Sequence, residues 1–134
     1  MAFLERIRAL FAGDPTLPLV EYPEKFERFE VTHLHVHTAN LSPDTDEKMV
    51  IITTTPAALP ALQEANGPVQ LVAKNERPVT FVPMDKQADP LLDPNLGWLI
   101  PVTEATGREI ATMQQGPGAH ELNSLHLGLV LEGD

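Results

Sequence analysis

The chain has 134 residues, 43% hydrophobic and 21% charged, a composition typical of a single globular domain and not of a disordered chain. Its 19 acidic and 9 basic residues give a net charge of −10, which excludes electrostatic recruitment of nucleic acid. The acidity either keeps a small protein in solution or attracts a basic protein partner. Cysteine is absent, which excludes disulfides and thiolate chemistry and fits a cytoplasmic location. No apolar run approaches the ~20 residues that a membrane span needs.

Residues 1–12 are predicted to form an amphipathic N-terminal helix. The apolar side chains of this stretch recur at helical spacing: Phe3, Leu4, Ile7, Leu10 and Phe11. The pattern leaves open whether the apolar face of such a helix packs on the protein core, on a partner protein or on a membrane surface. Residues 24–131 are predicted to form the core of the domain.

The first half of that core is predicted to contain two strands and a helix. A long strand is expected over residues 26–38. Its apolar residues change from odd to even positions between Val31 and Leu34, which predicts either a bulge or burial on both faces, and a second strand is expected over residues 48–54. Thr55-Pro56 and Asn66-Gly67 carry start and stop signals, which frame a helix between them.

The second half is predicted to begin with a hairpin of residues 69–72 and 79–82, followed by a long loop over residues 83–95. Residues 96–102 have the composition of a buried strand. Thr103 or Thr106 is then expected to cap a helix, with Thr106 and Glu109 at capping-box spacing and Gly116-Pro117 ending it.

A final strand over residues 125–131 completes the predicted order of elements. This order predicts an α+β fold in which residues 1–134 form one domain. We expect a mostly antiparallel sheet with two to three helices on one face.

The predicted loop carries the sequence's best candidate for a partner-binding surface. Three aspartates surround two leucines there, combining charge that steers a basic partner with apolar surface that can be buried in a contact. The predicted partner-binding residues are Asp85, Asp89, Leu91, Leu92 and Asp93. The alternative is that both leucines fold into the core.

A second candidate is the histidine-rich segment of residues 32–38. Strand alternation would place His33, His35 and His37 on one side, with neighbouring pairs close enough to share a metal ion. Residues 34–38 resemble the first motif of PHP-type metallophosphoesterases, although His33 stands where that motif has aspartate. The resemblance implies a metal-dependent hydrolase. The alternative is a polar strand face that binds no metal, and whether these histidines bind one is left open.

Other catalytic patterns are missing from the sequence. Ser42 and Ser124 lack the Gly-x-Ser-x-Gly context of a serine nucleophile, and no Lys-Ser or Lys-Thr follows Gly116-Pro117-Gly118 as it would in a phosphate loop. The paired carboxylates are typical of a solvated surface or of helix caps. No catalytic residue, metal site or cofactor is therefore predicted. Trp98 is interpreted either as a core residue or as an interface anchor.

The run from Leu96 to Leu122 suggests a family. Its Trp98-Leu99, its Pro101-Val102-Thr103-Glu104 and its Gly116 resemble the C-terminal end of small bacterial suppressor-of-fused-type domains, and Phe81-Val82-Pro83 before a loop fits the same order. The resemblance implies a non-catalytic domain associated with toxin immunity. We therefore predict a protein-binding domain that blocks its partner, with a metal-dependent hydrolase and a structural subunit of an assembly as alternatives.

Overall fold

The computed structural model describes residues 20–40, 43–44 and 48–133, so the predicted N-terminal helix lies outside the described residues. The elements in chain order are β1 (Glu27–Glu30), β2 (Leu34–Asn40), β3 (Lys48–Thr54), α1 (Ala58–Glu64), β4 (Val69–Val72), β5 (Val79–Pro83), β6 (Leu91–Asp93), β7 (Gly97–Val102), α2 (Glu104–Ala111), β8 (Gly118–Leu122) and β9 (Leu127–Leu131). Neither of the helices in these ranges is long and apolar enough to cross a membrane.

The strands form two mixed sheets. The five-stranded sheet has the order β1-β4-β5-β7-β6, and the four-stranded sheet has the order β2-β3-β9-β8. The pairs β1/β4, β5/β7 and β3/β9 are parallel, and the other pairs are antiparallel. The α+β class is confirmed, whereas the prediction of one mostly antiparallel sheet is wrong, because apolar alternation identifies a strand's buried face but not its neighbour or its direction.

The predicted long strand over residues 26–38 is two strands in different sheets. Phe29 pairs with Leu71 in the five-stranded sheet, and Leu34 pairs with Thr54 in the four-stranded sheet. Between the two strands, the N–H of Val31 donates to the carbonyl of Val72 at 2.9 Å. The change of the apolar residues from odd to even positions therefore marks the point where the chain crosses from one sheet to the other. It does not mark a bulge within one strand.

The facing sides of the two sheets share one hydrophobic core. Its most deeply buried members come from both sheets and from α1, and they are Ile52, Leu59, Leu71, Val79, Ile100, Leu127 and Leu131. The helices close this core, since α1 contacts α2 and β4 while α2 contacts β7. A smaller cluster of Val20, Leu91 and Leu99 packs on the other side of the five-stranded sheet, because Leu99 alternates with Trp98 and Ile100 along β7.

Helix α2 begins as predicted but ends earlier. Thr103 is its N-cap, and the Thr103 side chain accepts the N–H of Thr106 at 3.3 Å, so the alternative cap Thr106 lies inside the helix. The helix stops at Ala111, well before Gly116, and the chain then forms β8, a strand that was not predicted. Start and stop signals in a sequence limit where a helix can lie, but they do not require the helix to continue up to the stop signal.

Glu109 does not serve the predicted capping box. Its carboxylate accepts hydrogen bonds from the backbone N–H groups of Asn123 and Ser124, at distances of 3.0 to 3.2 Å, and from the Ser124 hydroxyl at 3.2 Å. The Ser124 hydroxyl also lies 2.8 Å from that of Thr106. These contacts tie the β8–β9 turn to helix α2.

Candidate functional site

The segment predicted as a long loop contains a strand. Residues Leu91–Asp93 form β6, which pairs with β7 at the edge of the five-stranded sheet. Leu91 is 2% exposed and packs with Val20 and Leu99, whereas Leu92 is half-buried and points to the opposite face, toward the main core. The two leucines predicted to form one contact surface therefore lie on different sides of a sheet.

The three aspartates of this segment also differ in environment. Asp93 is 5% exposed, and one of its carboxylate oxygens accepts the N–H groups of Asn95 and Leu96 at 2.7 and 3.0 Å. It therefore organises the turn between β6 and β7, as aspartates often do. Asp85 is exposed and Asp89 is half-buried. The partner-binding role of the segment stays a prediction, and these two carboxylates are the ones open to a partner.

The histidines occupy two environments. His35 and His37 are exposed on one face of β2, with their ring centroids 5.6 Å apart. His33 precedes β2, is half-buried and lies close to Gly133, and its buried Nε2 has no hydrogen-bond partner among the described residues. Within the described ranges, no three or more histidine, aspartate or glutamate side chains are grouped so that they could hold a metal ion.

We expect that exchanging both His35 and His37 for glutamine leaves folding unchanged, because both side chains lie on an exposed strand face. The free energy of unfolding should stay within about 0.5 kcal/mol of the original value. Protein purified without a metal-affinity tag should show no stoichiometric zinc or manganese by elemental analysis. Stoichiometric metal that disappears in the double variant would contradict this expectation and favour the hydrolase alternative.

A cleft of about 590 Å³ opens between the two sheets beside β2. Its walls come from four separate segments of the chain, namely β2, the β4–β5 turn, β6 and β7. The lining residues are Leu34, Val36, His37, Thr38, Asn75, Glu76, Arg77, Leu92 and Trp98. The volume lies in the range of ligand-binding clefts, and the lining combines an apolar floor with a few polar groups at its rim, as such clefts commonly do.

The polar side of the cleft depends on a tight turn. Asn75 has a φ of 64°, a left-handed conformation that asparagine tolerates better than most residues, and the N–H of Glu76 donates to the carbonyl of Ala73 at 3.3 Å. The turn presents the exposed side chains of Glu76 and Arg77 beside the cleft. The rim therefore offers one anion and one cation to a bound group.

The apolar floor includes Leu92 and Trp98. These two residues are paired across β6 and β7, and Trp98 is 7% exposed. Trp98 therefore belongs to the core and also lines the cleft, so the two sequence interpretations of this residue do not exclude each other. Of the five predicted partner-binding residues, Leu92 is the one that lines the cleft.

The cleft was not predicted because its residues are far apart in the chain. The segments from β2 and the β4–β5 turn are about forty residues apart, and no motif connects them. Only the packing of one sheet against the other brings them together. One sequence feature does point to this part of the molecule, because the strand Leu34–Asn40 contains no residue of fixed charge.

A second cavity of about 320 Å³ lies between the two helices and β4, β5 and β7. Of its polar lining residues Gln63 and Asn66, Gln63 is already engaged, because its side-chain amide donates to the carbonyls of Ile110 and Met113 at 2.9 and 3.1 Å. These bonds connect α1 to α2. We interpret this cavity as a gap between packed layers, and the cleft beside β2 as the better candidate site.

When the chain was compared with protein-family models, with curated proteins and with solved structures, no match was found. The suppressor-of-fused-type resemblance therefore stays a prediction.

Proposed function

We propose that this chain is a non-catalytic acidic domain that binds a basic protein and blocks it. The suppressor-of-fused-type resemblance and its association with toxin immunity are part of the same proposal, as is a cytoplasmic location. The observation that carries the proposal is the large excess of exposed carboxylates that are not neutralised within the described part of the chain.

The distribution of charge supports intermolecular pairing. Within the part of the chain that the structure describes, one ion pair forms, between Glu104 and Arg108, and both side chains are at least 75% exposed. Other exposed carboxylates have no ion-pair partner among the described residues, including those of Glu21, Glu24, Glu27, Glu30, Glu64, Glu76, Asp85 and Glu121. Such a surface raises the association rate with a basic protein and suppresses contact with acidic ones.

The proposal is tested by capture with the immobilised chain from an extract of the source organism, at low and at high salt. We expect a basic protein that is retained at low salt and released as the salt concentration rises, because salt screens exposed charges. The purified partner should then bind saturably and lose its own activity in the complex. A partner that is acidic, or whose binding does not depend on salt, would contradict the proposal.

Replacing Asp85 and Asp89 by asparagine should slow association with that partner. We expect the association rate at low salt to fall roughly two- to fivefold and its salt dependence to flatten, because charges at the rim of a contact act mainly on the encounter. The free energy of unfolding should hardly change. Stopped-flow mixing at several salt concentrations measures both effects.

The matched control is Asp93→Ala, which removes a buried carboxylate from the same segment. This change leaves two backbone N–H groups without their acceptor, so stability should fall by about 1–3 kcal/mol. Association of the folded fraction should be less affected than in the double variant. An association rate that the double asparagine change leaves unaltered at low salt would remove this segment from the contact surface.

A further inference from the structure

Strand β2 lacks the features that normally protect the edge of a sheet. Each sheet has two edges, which are β1 and β6 in one sheet and β2 and β8 in the other. An exposed edge offers unpaired backbone N–H and C=O groups to any extended chain, so proteins usually interrupt or charge their edges. The four edge strands of this fold can therefore be compared.

The other three edges carry such protection. Strand β1 consists of Glu27, Arg28, Phe29 and Glu30, so charged residues occupy most of it. Strand β6 has 3 residues and lies between Pro90 and Pro94. Strand β8 follows Pro117 and contains Glu121. Each of these strands is short, charged or limited by proline.

Strand β2 is different in length and in composition. It has 7 residues, with the sequence Leu-His-Val-His-Thr-Ala-Asn, and contains neither proline nor a residue of fixed charge. Its paired neighbour among the described strands is β3, on one side only. His35, His37, Thr38 and Asn40 are exposed, so the described part of the chain does not cover them.

The cleft lies along this same strand. Four residues of β2 line it together with Leu92 and Trp98, namely Leu34, Val36, His37 and Thr38. Side chains of a strand added next to β2 would alternate between the two faces of the sheet. Those on the inner face would continue the row of Val36 and Thr38 into the cleft, and those on the outer face would lie beside His35 and His37.

We propose that β2 and the adjoining cleft bind an extended segment of the partner protein, which adds a strand to the four-stranded sheet. The net charge of −10 favours a segment with basic side chains, and the floor of Leu92 and Trp98 favours apolar side chains at alternate positions. The rim adds one charge of each sign, Glu76 and Arg77, so a lysine of the segment can pair with Glu76. This inference rests on the proposed function and specifies its binding surface. Strand addition supplies affinity through the backbone, and the cleft supplies selectivity through side chains.

The first test uses a capped heptapeptide of alternating lysine and valine as the probe. Trp98 is the single tryptophan of the chain and lines the cleft, so its fluorescence reports occupancy directly. We expect a saturable fluorescence change with this peptide. Binding should weaken about tenfold or more when glutamate replaces each lysine, and equally when proline replaces two adjacent central residues, because one of their two N–H groups would face β2. Equal binding of either control peptide, or no binding of the probe, overturns the inference.

The second test compares two variants of β2, His37→Pro and Thr38→Pro. Neighbouring residues of an edge strand direct their N–H groups alternately toward the paired strand and toward solvent, so one of the two prolines should leave the β2–β3 pairing intact. Thermal melting identifies the tolerated variant. That variant should bind the lysine–valine peptide about tenfold more weakly than the original chain, and unchanged binding overturns the inference.

Amide chemical shifts of the unaltered chain provide a test that needs no variant. Addition of the peptide should shift amides of residues 34–40 more than those of the other three edge strands, and largest shifts elsewhere contradict the inference.

Sedimentation without peptide should show a monomer, because a dimer that the tolerated proline variant abolishes would assign β2 to a second copy of this chain. If the partner captured from the extract binds that variant normally, the inference fails while the proposed function stands. Failure of the original chain to capture a basic partner contradicts the proposed function itself.

Discussion

Replacing Gly97 by alanine is expected to reduce the free energy of unfolding by about 2–5 kcal/mol, because two effects combine at this position. Gly97 has a φ of +89°, which side-chain-bearing residues rarely adopt, and a Cβ placed there would lie 2.3 Å from the carbonyl oxygen of Pro78. That oxygen also accepts the N–H of Trp98 at 2.9 Å. Urea denaturation followed by tryptophan fluorescence measures the change.

Two other glycines separate the causes of this loss. Gly116 has a φ of +104°, but a Cβ added there would meet no atom of a more distant residue within 4 Å, so Gly116→Ala tests the backbone conformation alone and should cost about 1–2 kcal/mol. Gly67 has open space and no left-handed φ, so Gly67→Ala should change stability by no more than about 0.5 kcal/mol. Equal losses at Gly97 and Gly116 would show that close approach to Pro78 contributes nothing.

Truncation of Trp98 to alanine is expected to lower the free energy of unfolding by about 3–5 kcal/mol, because it leaves a large cavity between the sheets. Trp98 is 7% exposed and belongs to the main core. Circular dichroism during urea denaturation is the suitable measurement, since the variant has no tryptophan left. Trp98→Phe should cost less, because the phenyl ring fills part of the space.

The matched control is Ile100→Ala, two residues further along β7. Ile100 is 0% exposed and belongs to the same core, but it does not line the cleft. Both truncations should lower stability, whereas only Trp98→Ala should also weaken binding of the lysine–valine peptide, followed by calorimetry. Full stability of Trp98→Ala with lost partner binding would identify Trp98 as an interface anchor outside the core.

These two predictions concern one corner of the molecule. The carbonyl of Pro78, at the end of the β4–β5 turn, holds the start of β7 by accepting the N–H of Trp98. The preceding residue, Gly97, lets the backbone of β7 come this close to Pro78 because it has no Cβ. The same turn carries Glu76 and Arg77 at the cleft rim. Stability of this corner and the shape of the cleft therefore depend on the same contacts, and destabilising changes here should also weaken binding.

Several elements were predictable from short stretches of sequence. The strand Lys48–Thr54, the helix after Thr55-Pro56 and the hairpin of β4 and β5 agree with the sequence-based predictions, and Thr103, one of the two predicted caps, is the cap of α2. Each depends on residues close together in the chain, such as turn formers, caps and runs of β-branched side chains. Local physical chemistry is enough to specify such elements.

Segments that join distant parts of the chain were predicted less well. Residues 26–38 had the pattern of one strand. However, Phe29 pairs with Leu71 in one sheet and Leu34 pairs with Thr54 in the other, so the chain changes sheet between Phe29 and Leu34. Strand β6 exists because Leu91 and Leu92 pair with Leu99 and Trp98 of β7, although prolines bound it on either side. In both cases the partner strand, and not the local pattern, decides the structure.

The amino-acid sequence by itself determined the acidic character of the chain, its α+β class and the places where most strands and helices form. Only the tertiary structure decided that the strands divide into two mixed sheets, that Leu91 and Asp93 are buried, and that Leu92, Trp98, Arg77 and β2 meet around one cleft. The reason is that charge and propensity belong to individual residues or short windows, whereas a sheet edge and a cleft arise from pairings between residues far apart in the chain.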